Sequence, residues 1–197
     1  MLRKALLLFL LVFLLAPVSL ADVELWSTDT FQLSTMGVNI IPEFRIKNNL
    51  SDFYYLQTYI GPSWDLSKNL KFNVYYGLKY QKSGNDWKQS NLDYLDLIYS
   101  FKPLSNRARL EGDLTNAIVK YRDQLQVKVN GWYLSDEFFY NLTSAFADEN
   151  RLSAGYTLKA LGETDINFSY LLRAQRKMVS QAWSNSAAVV MNAGLKI

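Results

Sequence analysis

The chain has 197 residues, 21 Lys plus Arg against 18 Asp plus Glu, and neither Cys nor His. One domain fits that length, a formal charge of +3 is too slight to mark a nucleic-acid binder, and without Cys there is no disulfide framework. The missing His removes Ser-His-Asp catalysis and, together with the missing Cys, the usual soft metal sites.

Met1-Leu2-Arg3-Lys4 is a short positive start, Ala5 to Leu15 an unbroken apolar run, and Ser19-Leu20-Ala21 a small-residue cleavage site. This is the three-part pattern of a cleavable secretory signal peptide over residues 1–21. The run falls short of the ~20 residues of a comfortable membrane helix, and no Cys follows it to carry a lipid anchor. The expected mature chain is 22–197, whose 19 basic and 18 acidic residues give a net charge of +1 once Arg3 and Lys4 are removed.

Period-two alternation dominates residues 22–197, and turn-like clusters recur every ten to fifteen residues. Eleven segments are predicted as strands: 22–32, 37–47, 53–66, 69–81, 91–101, 106–114, 119–130, 132–140, 150–160, 164–175 and 185–197. Tight turns are expected at 65–69, 102–106, 130–131 and 161–163, and longer polar loops at 82–90, 141–149 and 177–185. Short connections alternating with long ones are typical of outer-membrane barrels. The expected fold is therefore all-β, an antiparallel up-and-down transmembrane barrel. Single-chain bacterial barrels have even strand numbers, so the odd segment count is read as ten or twelve strands, with 22–32 the doubtful wall strand.

The two faces differ sharply. Leu70, Phe72, Val74, Tyr76, Leu78 and Tyr80 alternate with Lys71, Asn73, Tyr75, Gly77, Lys79 and Gln81. Val119, Tyr121, Leu125, Val127 and Val129 alternate with Lys120, Arg122, Gln124, Gln126, Lys128 and Asn130. Strand geometry sends such sets to opposite faces. On the apolar parity, Tyr54, Tyr80, Tyr121 and Tyr140 fall near the longer connections, and Trp64, Phe101 and Trp132 near the tight turns. Tyr54 and Trp64 lie ten residues apart, which at ~3.3 Å per residue and a tilt of ~40° is about 25 Å of height, one apolar band between two aromatic girdles. A soluble barrel would have to bury its arginines or expose rows of Leu, Val and Phe. Asp123 and Asp136 fall on the apolar parity, and a bulge or an early end of the apolar face is expected near Asp136.

Several stretches carry a family resemblance. Val23-Glu24-Leu25-Trp26 leads to Pro42-Glu43-Phe44-Arg45, then Tyr76-Gly77-Leu78-Lys79-Tyr80 and Asn106-Arg107-Ala108-Arg109-Leu110. Tyr121-Arg122, Ser135 to Tyr140 and Asn150-Arg151-Leu152-Ser153-Ala154-Gly155-Tyr156 complete the order. Over nearly all of 22–197 this resembles the domain-of-unknown-function 2490 family. The resemblance implies an outer-membrane barrel and carries no activity or functional residues. The chain ends on Ile197 where many such barrels end on Phe, with Leu195 and Ile197 still forming an apolar alternating terminus.

The polar parity supplies the expected lumen charges: Glu43, Arg45, Lys47, Lys71, Lys79, Asp96, Arg107, Arg109, Glu111, Asp113, Lys120, Arg122, Lys128, Glu137, Arg151, Asp165 and Arg173, eleven basic against six acidic. They have two readings. In one they pair across a narrow lumen and fill it. In the other the basic excess lines a pore favouring small anionic solutes, a preference that depends on Arg107 and Arg109. Glu111 with Asp113, or Glu137, could act as acid and base, but carboxylates flanked by Arg read as ion pairs, so no catalytic residue, cofactor or metal site is expected. Asp148-Glu149-Asn150 reads as a solvated loop tip, too few oxygens for Ca²⁺. The expected partners are outer-membrane lipid and lipopolysaccharide, the insertion machinery and a small solute, with no nucleic acid. Trp87 and Trp183, beside the long loops, allow a surface-interaction protein, and a soluble periplasmic β-barrel is the third reading.

Overall fold

A computed structural model describes residues 23–33, 37–46, 52–159, 165–176 and 182–196. The signal-peptide reading of 1–21, Lys47, the turn at 161–163, residues 177–181 and Ile197 lie outside the described residues. All eleven elements are strands: β1 (Val23–Leu33), β2 (Val38–Ile46), β3 (Phe53–Ser67), β4 (Leu70–Ser83), β5 (Asp86–Phe101), β6 (Leu104–Asp113), β7 (Ile118–Val129), β8 (Trp132–Asn141), β9 (Phe146–Lys159), β10 (Asp165–Arg176) and β11 (Trp183–Lys196). Each pairs with its sequence neighbours, and β1 joins β11 to close the barrel.

The closure corrects the expected count. The wall has eleven strands, and β1 is a full member, paired with β2 in antiparallel and with β11 in parallel register from Val23↔Ala187 to Gln32↔Lys196. The reason is geometric. In an up-and-down chain with an odd number of strands the first and last run the same way, so closure must use one parallel ladder. The barrel is therefore mixed rather than wholly antiparallel.

The expected contrast in loop length is also corrected. At one end of the barrel, here the lower rim, the chain turns at 68–69, 102–103 and 130–131. At the other, the upper rim, β4 and β5 meet through Gly84-Asn85 alone, and four-residue turns join β6 to β7 and β8 to β9. Gly84 has φ +66, and Asn85 is not among the positive-φ residues, as in a type II′ hairpin turn. At the lower rim Asn130 (φ 51) and Gly131 (φ 85) form the corresponding type I′ turn. Within the expected loops at 82–90 and 141–149, all but Gly84-Asn85 and 142–145 are thus ladder residues.

Three register shifts interrupt the ladders: at Arg45/Ile46 opposite β3, at Asp65/Ser67 and at Phe139/Tyr140. Each gives one strand an extra residue, which turns a side chain out of its expected parity. The extra residues are Tyr54, Leu66 and Asp148.

Side chains sort by face. Leu56, Ile60, Leu95, Leu97, Leu125 and Leu134 are exposed on the outer surface. Inside, Ile41, Tyr59, Tyr75, Leu92 and Tyr94 pack together on β2–β5, and Trp26, Leu171, Ala188 and Val190 pack across β1, β10 and β11. Gly77 makes room for the first cluster: a Cβ there would stand 3.1 Å from that of Tyr59.

Candidate functional site: the barrel interior

Between the two apolar clusters lies one cavity of about 640 Å³. All five inward residues of β7 from Lys120 to Lys128 line it, and so do all five of β10 from Asn167 to Gln175. The lining therefore runs the length of the β7–β10 wall. On β3–β5 it is confined to the upper half, because Tyr75, Asn73 and Asp96 are packed beneath. Gln81 at the upper rim and Lys128 at the lower rim are both exposed and both line it. The eight residue steps from Lys120 to Lys128 at ~3.3 Å and a tilt of ~40° span roughly 20 Å of height. The volume falls within the ~300–1,000 Å³ of small-molecule sites.

The expected lumen charges divide as follows. Glu43, Arg45, Lys79, Arg107, Arg109, Glu111, Lys120, Arg122, Lys128, Glu137, Arg151 and Arg173 all line the cavity. Asp96 and Asp113 are buried in the wall behind it. Lys71 is bridged to Asp65 at 3.5 Å near the lower rim, and Asp165 is exposed at the start of β10.

The charges form a network centred on Glu137, on β8. One of its oxygens takes Arg107 Nη2 at 2.9 Å and Arg122 Nη2 at 2.8 Å, and the other lies 3.6 Å from Arg151 Nη1. Arg122 also reaches Glu111 at 3.1 Å, and Arg151 reaches Glu149 at 2.5 Å. Both guanidinium carbons stand 4.4 Å from the centre of the Phe139 ring. Four strands hold these groups, and their shared register brings them together: Arg109↔Arg122, Gln124↔Glu137 and Glu137↔Arg151 are cross-strand neighbours. Arg109 forms a two-toothed pair with Asp96, at 2.5 and 2.6 Å, over the Tyr94 ring at 4.7 Å. A chain of hydrogen bonds from Tyr55 OH through Gln57 to Tyr94 OH crosses the upper half of the same wall.

Three acids that parity counting missed change the balance. Glu24 and Glu149 line the cavity. Asp148 is buried and bridged to Lys120 at 2.6 Å, so the 148–150 run is strand and interior rather than a solvated loop tip. The bulge at Asp148 explains the change: it turns that residue inward beside Glu149. The lining holds nine basic and five acidic residues, and with Asp96, Asp113 and Asp148 behind it the count is nine against eight. The basic excess is smaller than the one counted from the sequence.

The aromatic girdle needs one correction. Trp64 and Phe101 are exposed at the lower rim, and Trp132 packs there on Tyr156 with ring centres 4.9 Å apart. Tyr80, Tyr121 and Tyr140 share the outward parity toward the upper rim, where Tyr121 faces Tyr140 in register. Tyr54 does not join them. As the extra residue of its bulge it lines the cavity and donates its OH to Glu24 at 2.7 Å. Phe53 takes the outer position, 5.6 Å from Trp87. Asp136 stays outward with no bulge beside it, accepting from Asn150 Nδ2 at 2.9 Å, and Asp123 accepts from Asn106 Nδ2 at 2.6 Å. Trp87 lies in β5 and Trp183 opens β11, both exposed.

Among the described residues no group of three Asp, Glu, His or Cys could hold a metal ion. Comparison with curated proteins finds no match. A family model described as "Protein of unknown function (DUF2490)" matches residues 25–182, or 158 of the 197. The chain belongs to that family.

Proposed function

We propose, with membership of that family as the premise, that the chain is an outer-membrane barrel whose cavity admits small polar solutes. The observation that carries the reading is the inversion of faces. Large apolar side chains are exposed on the outside of β3 to β11, while ion pairs and amides line the cavity inside. Water disfavours such an exterior and lipid favours it, and a closed barrel leaves no strand edge for lipid to meet. The export signal read at residues 1–21 supports delivery through the inner membrane, with lipid, lipopolysaccharide and the insertion machinery as partners.

Solute access rests on the cavity's reach from Gln81 to Lys128. The second reading is a closed structural barrel, with the rims as its interaction surface. It draws on the pairing of most lumen charges and on the two packed clusters.

Because the chain has no Cys, Gln124→Cys places one thiol on the cavity wall. In liposomes, a membrane-impermeant thiol reagent should label it, and planar bilayers should show small conductance steps with a slight anion preference. No labelling and no steps from folded protein would leave the closed barrel. Recovery in the periplasmic extract, rather than in the outer membrane, would remove the membrane reading itself.

A further inference from the structure

Among the described residues, Glu24 and Arg173 in the cavity wall make no ion pair within 4.0 Å, and both stand beside one indole. Glu24 accepts from Trp26 Nε1 at 2.8 Å and from Tyr54 OH at 2.7 Å, both neutral donors and both on Oε2. Oε1 takes part in neither bond. Arg173 donates from Nε to Ser186 Oγ at 3.0 Å, and its guanidinium carbon stands 5.5 Å from the centre of the Trp26 ring. Among the described residues no Lys or Arg nitrogen lies within 4.0 Å of the Glu24 carboxylate, and no carboxylate oxygen lies that close to Arg173. Arg45 and Arg151 crowd the same ring, at 3.8 and 5.2 Å, but both are bridged, Arg45 to Glu43 and Arg151 to Glu149 and Glu137.

These groups share one wall. Glu24 is in register with Ala188, and Ala188 with Leu171 on β10, two residues from Arg173. Leu171, Val190 and Trp26 line the cavity beside them as an apolar surface.

We propose that Glu24, Trp26 and Arg173 form a subsite for a small zwitterion with an apolar substituent, chemically an α-amino acid. This rests on solutes reaching the cavity, as proposed above. The guanidinium fork suits a carboxylate. Glu24 Oε1, held in place by Trp26 Nε1 and Tyr54 OH on its other oxygen, suits an ammonium, and Leu171 and Val190 suit the side chain. A simple anion at Arg173 would lie in the field of Glu24 and Glu149. A simple cation at Glu24 would face Arg45, Arg151 and Arg173. A ligand carrying both charges answers both, and replaces water on groups that are costly to leave unpaired in a narrow cavity.

The test is calorimetric titration of the detergent-folded barrel with leucine, 4-methylpentanoate and 3-methylbutylamine, which share the isobutyl side chain and differ in charge. Leucine should bind at least tenfold more tightly than either single-charge analogue. Glu24→Gln should weaken leucine about tenfold and bind 4-methylpentanoate no more weakly than before. Arg173→Gln should weaken leucine similarly and bind the amine no more weakly than before. Equal binding of leucine and 4-methylpentanoate would reduce the subsite to an anion site and overturn the proposal without needing either variant. Absence of leucine binding would overturn it too, and labelling of Gln124→Cys then tells whether the cavity reading stands without it.

Discussion

The interior charges differ in how much they hold, and burial decides which matter. Asp96 is 2% exposed and is the carboxylate that Arg109 grips with two nitrogens. Asp96→Asn leaves a guanidinium sealed without its counter-charge, which costs about 3–5 kcal/mol. Asp65 pairs with Lys71 where its side chain is 76% exposed, and exposed pairs contribute about 0–1 kcal/mol. Urea unfolding from detergent or lipid should therefore show a large loss for Asp96→Asn and almost none for Asp65→Asn. Equal effects would mean the lumen is wet enough to screen both. Glu137 poses a different question, since Arg107, Arg122 and Arg151 all turn to it. Glu137→Gln removes the carboxylate bridged to Arg107 and leaves Arg122 with Glu111 and Arg151 with Glu149, so the expected outcome is lower stability together with a rise in anion preference, read as a shift in reversal potential. Simple parity placed Glu137 on the same face as these arginines because β6–β9 are regular around it. It could not place Tyr54 or Asp148, because a bulge moves one residue across the sheet and no pattern in the flanking residues announces it. Glu24 escaped for another reason: residues 22–32 were the doubtful strand, so their faces went uncounted.

Turns carry their own physics at the scale of the hairpin. Asp113-Leu114-Thr115-Asn116-Ala117 and Asn141-Leu142-Thr143-Ser144-Ala145 are one device used twice on adjacent hairpins of the upper rim. In each, the first side chain accepts from the turn backbone, Asp113 Oδ1 from Thr115 N and Asn116 N, Asn141 Oδ1 from Ser144 N. In each the Thr hydroxyl accepts from the neighbouring strand, Thr115 from Asn91 N and Thr143 from Val119 N. Both end on an Ala with positive φ, 53° at Ala117 and 55° at Ala145. That conformation costs a non-glycine residue about 1–2 kcal/mol, while glycine loses about 0.4–1 kcal/mol through its freer unfolded chain. Ala117→Gly and Ala145→Gly should each raise stability by up to about 1 kcal/mol, measured by the unfolding midpoint. The opposite change is expected at Gly61, where an added Cβ would stand 1.9 Å from the Val74 carbonyl oxygen; Gly61→Ala should prevent folding or strongly retard it. The strands themselves were legible to within a few residues, since alternation is imposed by the two environments of the wall. The loops were not. Lys82 to Ser90 is polar because its strands rise past the apolar belt, and polarity alone does not separate a ladder from a loop; the informative signal was the Gly84-Asn85 pair.

For the whole molecule, the sequence argued closure and the even-number rule argued against eleven, and closure prevailed through one parallel seam between β1 and β11. What a sequence does not carry is how far the interior is filled, because that depends on how side chains from distant strands meet. Tyr59 on β3 reaches Tyr75 and Tyr94 at 5.3 Å each and fills one side of the barrel, while the β7 wall opposite, with Gln124 and Gln126, stays open to the cavity. The membrane reading makes a prediction that no soluble barrel shares. Leu97 and Leu125 are exposed on the outer face, and Gln124 is one residue from Leu125 on the inner face. In water, Lys at an exposed position is nearly neutral for stability. In lipid, Lys on the outer face of a transmembrane barrel costs about 2–4 kcal/mol near the midplane, while a lumen position tolerates charge. Leu97→Lys should therefore fold poorly into bilayers, Leu125→Lys less poorly because outward Asp136 stands opposite it, and Gln124→Lys nearly normally, with folded fraction read from heat-dependent gel mobility. If all three fold alike in bilayers, or if the two leucine variants fold to soluble protein without lipid, the outer belt does not face a membrane.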